Sequence, residues 1–292
     1  MTVLVLGSTG NIGPHVVESL VEQGTPTRVL VRDAEKARQK LPDGVEIIEG
    51  DFEDGPTAAT AAQEVESVFL LTPHSYTMAD VQLRIIRELR RKGIKIVKLS
   101  GTSSAIRPDG PHATREHWEV EEILKASGET FVILRPNAFM QTMINQIMLP
   151  GIKATGKMPN AIADAGLSMI DAQDIAEVAA RVLTRSDWDG ETLVLTGPRA
   201  VGYHEIAAHI GTVRGQEIEV LEITPEDVKI SALARGLEPW EAEHFQEMYQ
   251  MFRDRESEYI SEDVKRVTGN EPGTIESYLE RNADLFRASV NA

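Results

Sequence analysis

Seven residues near the N-terminus, Gly7-Ser8-Thr9-Gly10-Asn11-Ile12-Gly13, set glycines at a regular spacing among small polar side chains. Glycine lets a chain turn tightly and lets the backbone approach a ligand with no Cβ between them. Where such a turn opens a helix, the unpaired N–H groups and the positive end of the helix dipole attract phosphate. A pyrophosphate suits this loop if a strand precedes it and a helix follows. Both conditions are met here. The spacing is G-x-x-G-x-x-G, which differs from the G-x-G-x-x-G of the better-known dinucleotide fingerprint. A strand-to-helix turn that uses glycine for geometry alone is the competing reading, and the β–α–β surroundings weigh against it.

A second group of residues concerns which dinucleotide is bound. After the second strand a carboxylate would hold a ribose 2′-OH, whereas an arginine would hold a 2′-phosphate. Arg32 and Asp33 are adjacent there. Asp33 precedes Ala34-Glu35-Lys36-Ala37 and is explained as the N-cap of the next helix. Arg32 then favours NADPH, with NADH as the alternative, unless it is only a solvated strand-end charge. Arg28, Lys36 and Arg38 are close enough in sequence to help.

The elements that must hold these groups follow from periodicity. Short β-branched runs alternate with amphipathic stretches, the pattern of a doubly wound α/β protein with a parallel sheet covered on both faces. Strands are expected at Thr2–Leu6, Arg28–Arg32, Glu46–Ile48, Ser67–Leu71, Lys95–Leu99 and Phe131–Leu134. Helices are expected from Pro14 to about Gln23, Met78 to Lys92 and Thr114 to Ala126. The main dinucleotide-binding domain is placed at residues 1–150, with about 167–198 returning to it. Residues 151–292 form a smaller α/β lobe that ends in acidic helices. Ligands of open α/β sheets lie beyond the C-terminal ends of the strands. That rule makes Thr72 and Pro73, Ser100, and Pro136 and Asn137 candidates to line the nicotinamide and substrate, with His74 and Tyr76 close by.

The remaining composition narrows the class. The chain has 292 residues, and 30 basic against 46 acidic residues give a net charge of −16, which argues against nucleic-acid or anionic-membrane partners. It contains no cysteine, so disulfides, thiolate nucleophiles and cysteine-ligated metals are excluded. No apolar run approaches the ~20 residues that cross a bilayer, and the expected location is cytoplasmic.

The run Val3-Leu4-Val5-Leu6-Gly7-Ser8-Thr9-Gly10-Asn11-Ile12-Gly13, with Val31-Arg32-Asp33, Gly50-Asp51-Phe52 and Leu134-Arg135-Pro136-Asn137-Ala138-Phe139-Met140, resembles the atypical short-chain dehydrogenase/reductase group called NmrA-like. The resemblance extends to about residue 225. It implies a Rossmann domain, a small C-terminal lobe and a substrate cleft. It also places Asp51 and the backbone of Phe52 against the adenine, although Asp51 reads equally well as a turn residue. The group includes quinone oxidoreductases, a triphenylmethane-dye reductase and non-catalytic redox sensors. Two functions are therefore expected: hydride transfer from NADPH to a quinone-like or other conjugated small molecule, or sensing of NADP(H) for a protein partner.

Typical short-chain reductases use Tyr-x-x-x-Lys, the phenol donating a proton. Here Ala113 falls in place of the tyrosine and His117 in place of the lysine. His117 is the expected proton donor, or else a polar contact or a plain helix-face histidine. No metal is expected. His204 and His209 bracket Glu205 but stand roughly 140° apart around a helix, which is poor placement for one ion. Phe139 and Met140 are candidates for the substrate pocket, although with Met143, Ile144, Ile147 and Met148 they also form an apolar stripe suited to a core.

Overall fold

The computed structural model describes residues 1–90 and 93–286. The last two positions of the helix expected to end at Lys92, and the last six of the C-terminal lobe, lie outside them. In chain order the elements run β1 (Val3–Val5), α1 (Gly13–Glu22), β2 (Thr27–Val31), α2 (Ala34–Arg38), β3 (Glu46–Glu49), α3 (Gly55–Ala61), β4 (Ser67–Leu70), α4 (Met78–Arg90), β5 (Lys95–Leu99), α5 (His112–Ala126) and β6 (Phe131–Pro136). A π-helical run, Gln141–Met148, leads into α6 (Leu149–Thr155), β7 (Lys157–Asn160), β8 (Gly166–Leu167), α7 (Ala172–Thr184), β9 (Thr192–Leu195), β10 (Val201–Gly202), α8 (Tyr203–Arg214) and β11 (Glu219–Glu222). The chain continues through α9 (Pro225–Ala234), α10 (Pro239–Arg253), α11 (Asp263–Thr268), α12 (Ile275–Arg281) and α13 (Ala283–Phe286).

The chain divides into two compact units. The first comprises residues 1–136, 172–195 and 263–270. Its seven-stranded sheet has the order β3-β2-β1-β4-β5-β6-β9, and every pairing is parallel. The strands are short and β-branched because both faces are buried: Val68, Ile96, Val97, Val132 and Ile133 are fully enclosed. The order reverses between β1 and β4, the switch point where such sheets open a crevice.

The second unit comprises residues 137–171, 196–262 and 271–292, of which those up to 286 are described. Its core joins Met140, Met143, Ile144 and Met148 to Leu167, Tyr203, Ile206, Tyr278 and Phe286. Two small sheets accompany it, β10 with β8 antiparallel and β11 with β7 parallel. The expected limit at residue 150 falls instead at Pro136. Directly after it the apolar side of the π-helical run enters the second core. Residues 263–270 also belong to the first unit, where Asp263 accepts a bond from Val194 N at 2.8 Å and Arg266 pairs with Glu191 at 2.7 Å. Polar composition concealed this return.

Candidate functional site

The glycine-rich loop joins β1 to α1 at the C-terminal side of the sheet. It closes on itself through Gly10 N donating to Gly7 O at 3.2 Å. Gly7 takes φ = 70°, a left-handed conformation that side chains disfavour. A Cβ at Gly13 would lie 2.1 Å from Gly7 O and 2.5 Å from Ser8 Cα, so the start of α1 fits against the loop only as glycine. Gly10 differs. A Cβ there would meet nothing closer than Gly7 O at 3.5 Å, and Thr9, Gly10 and Asn11 are exposed. The first turn of α1 has no side-chain cap, and Pro14 stands within it. Ser8 Oγ is buried and has no hydrogen-bond partner among the described residues. An open glycine, an uncapped helix and a buried unpartnered hydroxyl together fit an anionic pyrophosphate.

Arg32 is exposed at the end of β2. Asp33 accepts from Lys36 N at 2.9 Å and caps α2, which leaves the strand-end charge to the arginine. Arg28 is occupied elsewhere: it pairs with Glu46 at 2.9 Å and donates to Ala61 O and Gln63 O. Asp51 is exposed and accepts from Glu53 N at 2.9 Å, a turn interaction. The ring of Phe52 packs in the core of the first unit.

After β4, Thr72 is buried and accepts from Gln82 Nε2 at 2.9 Å, while Pro73 and His74 are exposed. The Tyr76 ring stacks on His112 with centroids 4.5 Å apart. That contact ties the loop to the start of α5. Ser100, at the end of β5, donates to Glu121 Oε1 at 2.6 Å. Pro136 closes β6 as a buried residue.

Two expected site residues of the second unit make contacts within that unit. Asn137 is buried, its amide nitrogen donating to Ser168 Oγ at 2.6 Å and Ser257 O at 3.0 Å, while its oxygen accepts from Ala138 N at 2.9 Å. Those bonds use the amide nitrogen and oxygen of Asn137 within its own unit. Met140 is 0% exposed and belongs to the second core, where the apolar stripe takes it. Phe139 remains half-buried and bridges to Ile170.

His117 lies on α5, and its Nδ1 is 2.8 Å from Lys98 Nζ. A Cβ at Gly101 would sit 3.5 Å from its Cδ2, which puts the ring at the C-terminal end of β5. Lys98, fully buried, was not anticipated as a functional residue. Burial lowers its pKa to about 7, against the opposing pull of the Glu121 carboxylate and with a further push from Arg135. Arg135 grips Glu121 through Nε at 3.1 Å and Nη2 at 2.5 Å. Burial works to raise Glu121, but bonds from Arg135 and Ser100, with the nearby positive charges, hold it below the ordinary carboxylate range. The signal for Lys98 was present: Lys95-Ile96-Val97-Lys98-Leu99 has a lysine at its half-buried start and a second one, Lys98, among buried residues of a strand in mid-sheet.

Away from this site, Glu205, His209 and Glu276 place ligand atoms within 4.8 Å of one another. Arg199 already bonds both carboxylates at 2.6 Å, which makes the group an ion-pair cluster. His204 pairs separately with Glu222 at 3.0 Å. Among the described residues no helix is long and apolar enough to cross a membrane.

Known proteins resemble the chain throughout its length. It is 29% identical over 288 residues to the NAD(P)H azoreductase of Xenophilus azovorans, covering 98% of this chain and 100% of that one. An Escherichia coli NADPH-dependent quinone oxidoreductase, solved with NADPH, superposes with a TM-score of 0.83 at 20% identity, covering 96% and 99% of the two chains. Citrobacter sp. triphenylmethane reductase, solved with NADP(H), gives 0.81 at 21% identity with the same coverage, 96% and 99%. At such identity the two structures speak for the fold alone, a Rossmann-like doubly wound sheet. The NmrA-like family model matches residues 1–279, and the chain belongs to the NmrA-like family.

Proposed function

We propose that this protein is an NADPH-dependent reductase that passes a hydride to a quinone-like or otherwise conjugated small molecule. The observation that carries the reading is the glycine-rich loop, open at Gly10 and filled by the chain's own atoms at Gly13. The azoreductase, the quinone oxidoreductase and the triphenylmethane reductase have in common a nicotinamide donor and, in their names, a conjugated acceptor. Such an acceptor spreads the incoming charge, so that reduction does not depend on a tyrosine acid. That fits a helix with alanine at position 113.

The residue assignments are part of the proposal. The backbone from Gly7 to Gly13 and the first turn of α1 hold the pyrophosphate, and Arg32 holds the 2′-phosphate. Asp51 and the Phe52 backbone border the adenine. Thr72, Pro73, His74, Tyr76, Ser100 and Pro136 border the nicotinamide and acceptor. The dinucleotide supplies the hydride, and His117 supplies a proton to acceptors that need one. A cytoplasmic location, where NADPH is regenerated, completes the reading.

The test is NADPH oxidation, followed at its absorbance, against a panel of quinones, azo and triphenylmethane dyes, enones and imines. Turnover with one conjugated class is the expected result. Tight NADPH binding with no turnover on any acceptor would overturn the enzyme reading in favour of a sensor.

A further inference from the structure

Lys98 is a base in the middle of an apolar sheet. It is 0% exposed on β5, between β4 and β6. Its Nζ donates to Leu99 O at 3.1 Å and lies 2.8 Å from His117 Nδ1. The charged and titratable groups that face it are His117 and Glu121 on α5 and Arg135 on β6. Glu121 is largely committed to Arg135 and Ser100, so Lys98 is not held as one half of a simple ion pair. Burying an amine with so little compensation is costly, and a methionine would fill the same space more cheaply.

The His117 ring explains what the amine can do. Its Nδ1 faces Lys98, while its Cδ2, the ring atom bonded to Nε2, lies beside Gly101 at the end of β5. The bond made by one imidazole nitrogen decides whether the other carries a proton. We propose that Lys98 is a positioning residue that fixes the proton of His117 on Nε2, toward the strand ends, and replaces it through Nδ1 once it has been given up. This rests on the reading of His117 as proton donor.

Protons balance as follows. While Lys98 is an ammonium it donates to Nδ1, and the neutral ring carries its proton on Nε2. When the acceptor has gained its hydride, the Nε2–H bond breaks and that proton goes to the reduced acceptor. In the same step a Lys98 N–H bond breaks and an Nδ1–H bond forms. The ring ends neutral with its proton on Nδ1, and Lys98 ends as a neutral amine. After product release a hydronium ion from solvent gives its proton to Nε2 and leaves as water, and the Nδ1 proton returns to Lys98, so that each turnover takes up one proton from solvent. The near-neutral value set by burial makes that exchange accessible to a lysine, whose ordinary pKa of 10.5 would forbid it.

The experiment is nitrogen-15 NMR of histidine-labelled full-length protein without nucleotide, with the His117 signals assigned by their loss in His117→Gln. In the wild type the neutral ring is expected to carry its proton on Nε2 below about pH 7 and to shift it to Nδ1 above, following Lys98. Lys98→Met should abolish that change of tautomer. It should also lower kcat for a simple ketone or imine roughly 10- to 100-fold, the cost of losing the group that orients a working histidine, with affinity for NADPH unchanged. An unchanging tautomer in the wild type, or a transition that persists in Lys98→Met, would overturn the proposal. The wild-type titration stands even if the variant folds poorly. If His117→Gln keeps full kcat with every acceptor, it is the proton-donor reading that fails; a tautomer indifferent to Lys98 sinks this inference alone.

Discussion

Replacing Gly10 by valine separates binding from folding more sharply than any other change in the loop. A Cβ at position 10 approaches only Gly7 O, at 3.5 Å, an ordinary contact, and the residue is exposed. The fold should therefore lose no more than about 0.5 kcal/mol, the usual range for a surface substitution away from special features. The ligand meets a different situation. The two methyl groups project into the space where a pyrophosphate must lie to reach the first N–H groups of α1. If two charge-assisted bonds are lost, at about 1.5 to 3 kcal/mol each, the sum is roughly 3 to 6 kcal/mol, or a factor of about 10² to 10⁴ in affinity. Gly13→Ala provides the contrast, because its Cβ would fall 2.1 Å from Gly7 O and must displace backbone. Calorimetric titration with NADPH and thermal melts of both variants make the comparison. Gly10→Val that binds NADPH as tightly as the wild type, or melts as low as Gly13→Ala, would refute the assignment of the open glycine to the ligand.

Other consequences can be measured independently. Arg32→Ala should weaken NADPH by about 1.5 to 3 kcal/mol and leave NADH nearly unchanged; equal losses would show that it does not read the 2′-phosphate. Glu121→Leu leaves Arg135 and the buried Lys98 without their carboxylate and should cost about 3 to 5 kcal/mol in urea unfolding, so an unaltered midpoint would count against a structural role for that cluster. Lys98 has a folded pKa of about 7 below an unfolded value of 10.5, so the unfolded chain binds the extra proton between those limits. Stability should accordingly rise with pH across that window, and the cost of the buried charge should be fully present below it. The difference between wild type and Lys98→Met, followed by denaturant unfolding at several pH values, should carry this slope, and a flat difference would contradict it.

The sequence made the sheet legible because its strands are buried on both faces and read as short apolar runs broken by helical periodicity. Lys95–Leu99 agrees residue for residue with β5, and the others shift by a residue or two at their ends. The glycine loop was equally plain, since its spacing and context are local. What stayed hidden depended on partners distant in the chain. Glu121 carries no signal of its own in the sequence, yet it joins Ser100, just past β5, and Arg135 of β6. Asn137, beside a strand end, looked like a ligand contact. Its partners at positions 168 and 257 could not be paired with it from spacing alone. Met140 fits a pocket wall or a core by type, and only the packing of the π-helical run decides between them.

The first unit is assembled from three separate stretches of chain, the last reaching residue 270. On a ribosome, the N-terminal 136 residues would emerge with six strands in hand but with β6 lacking the neighbour that β9 provides through Ile133–Pro136. An unpaired parallel edge in mid-synthesis invites pairing with other nascent chains. The nucleotide loop, complete by residue 13, would thus exist long before the sheet beneath it could close. Ligand binding early in synthesis could not stabilise a finished platform, and truncated forms ending near Pro136 should aggregate instead of yielding a minimal nucleotide-binding fragment.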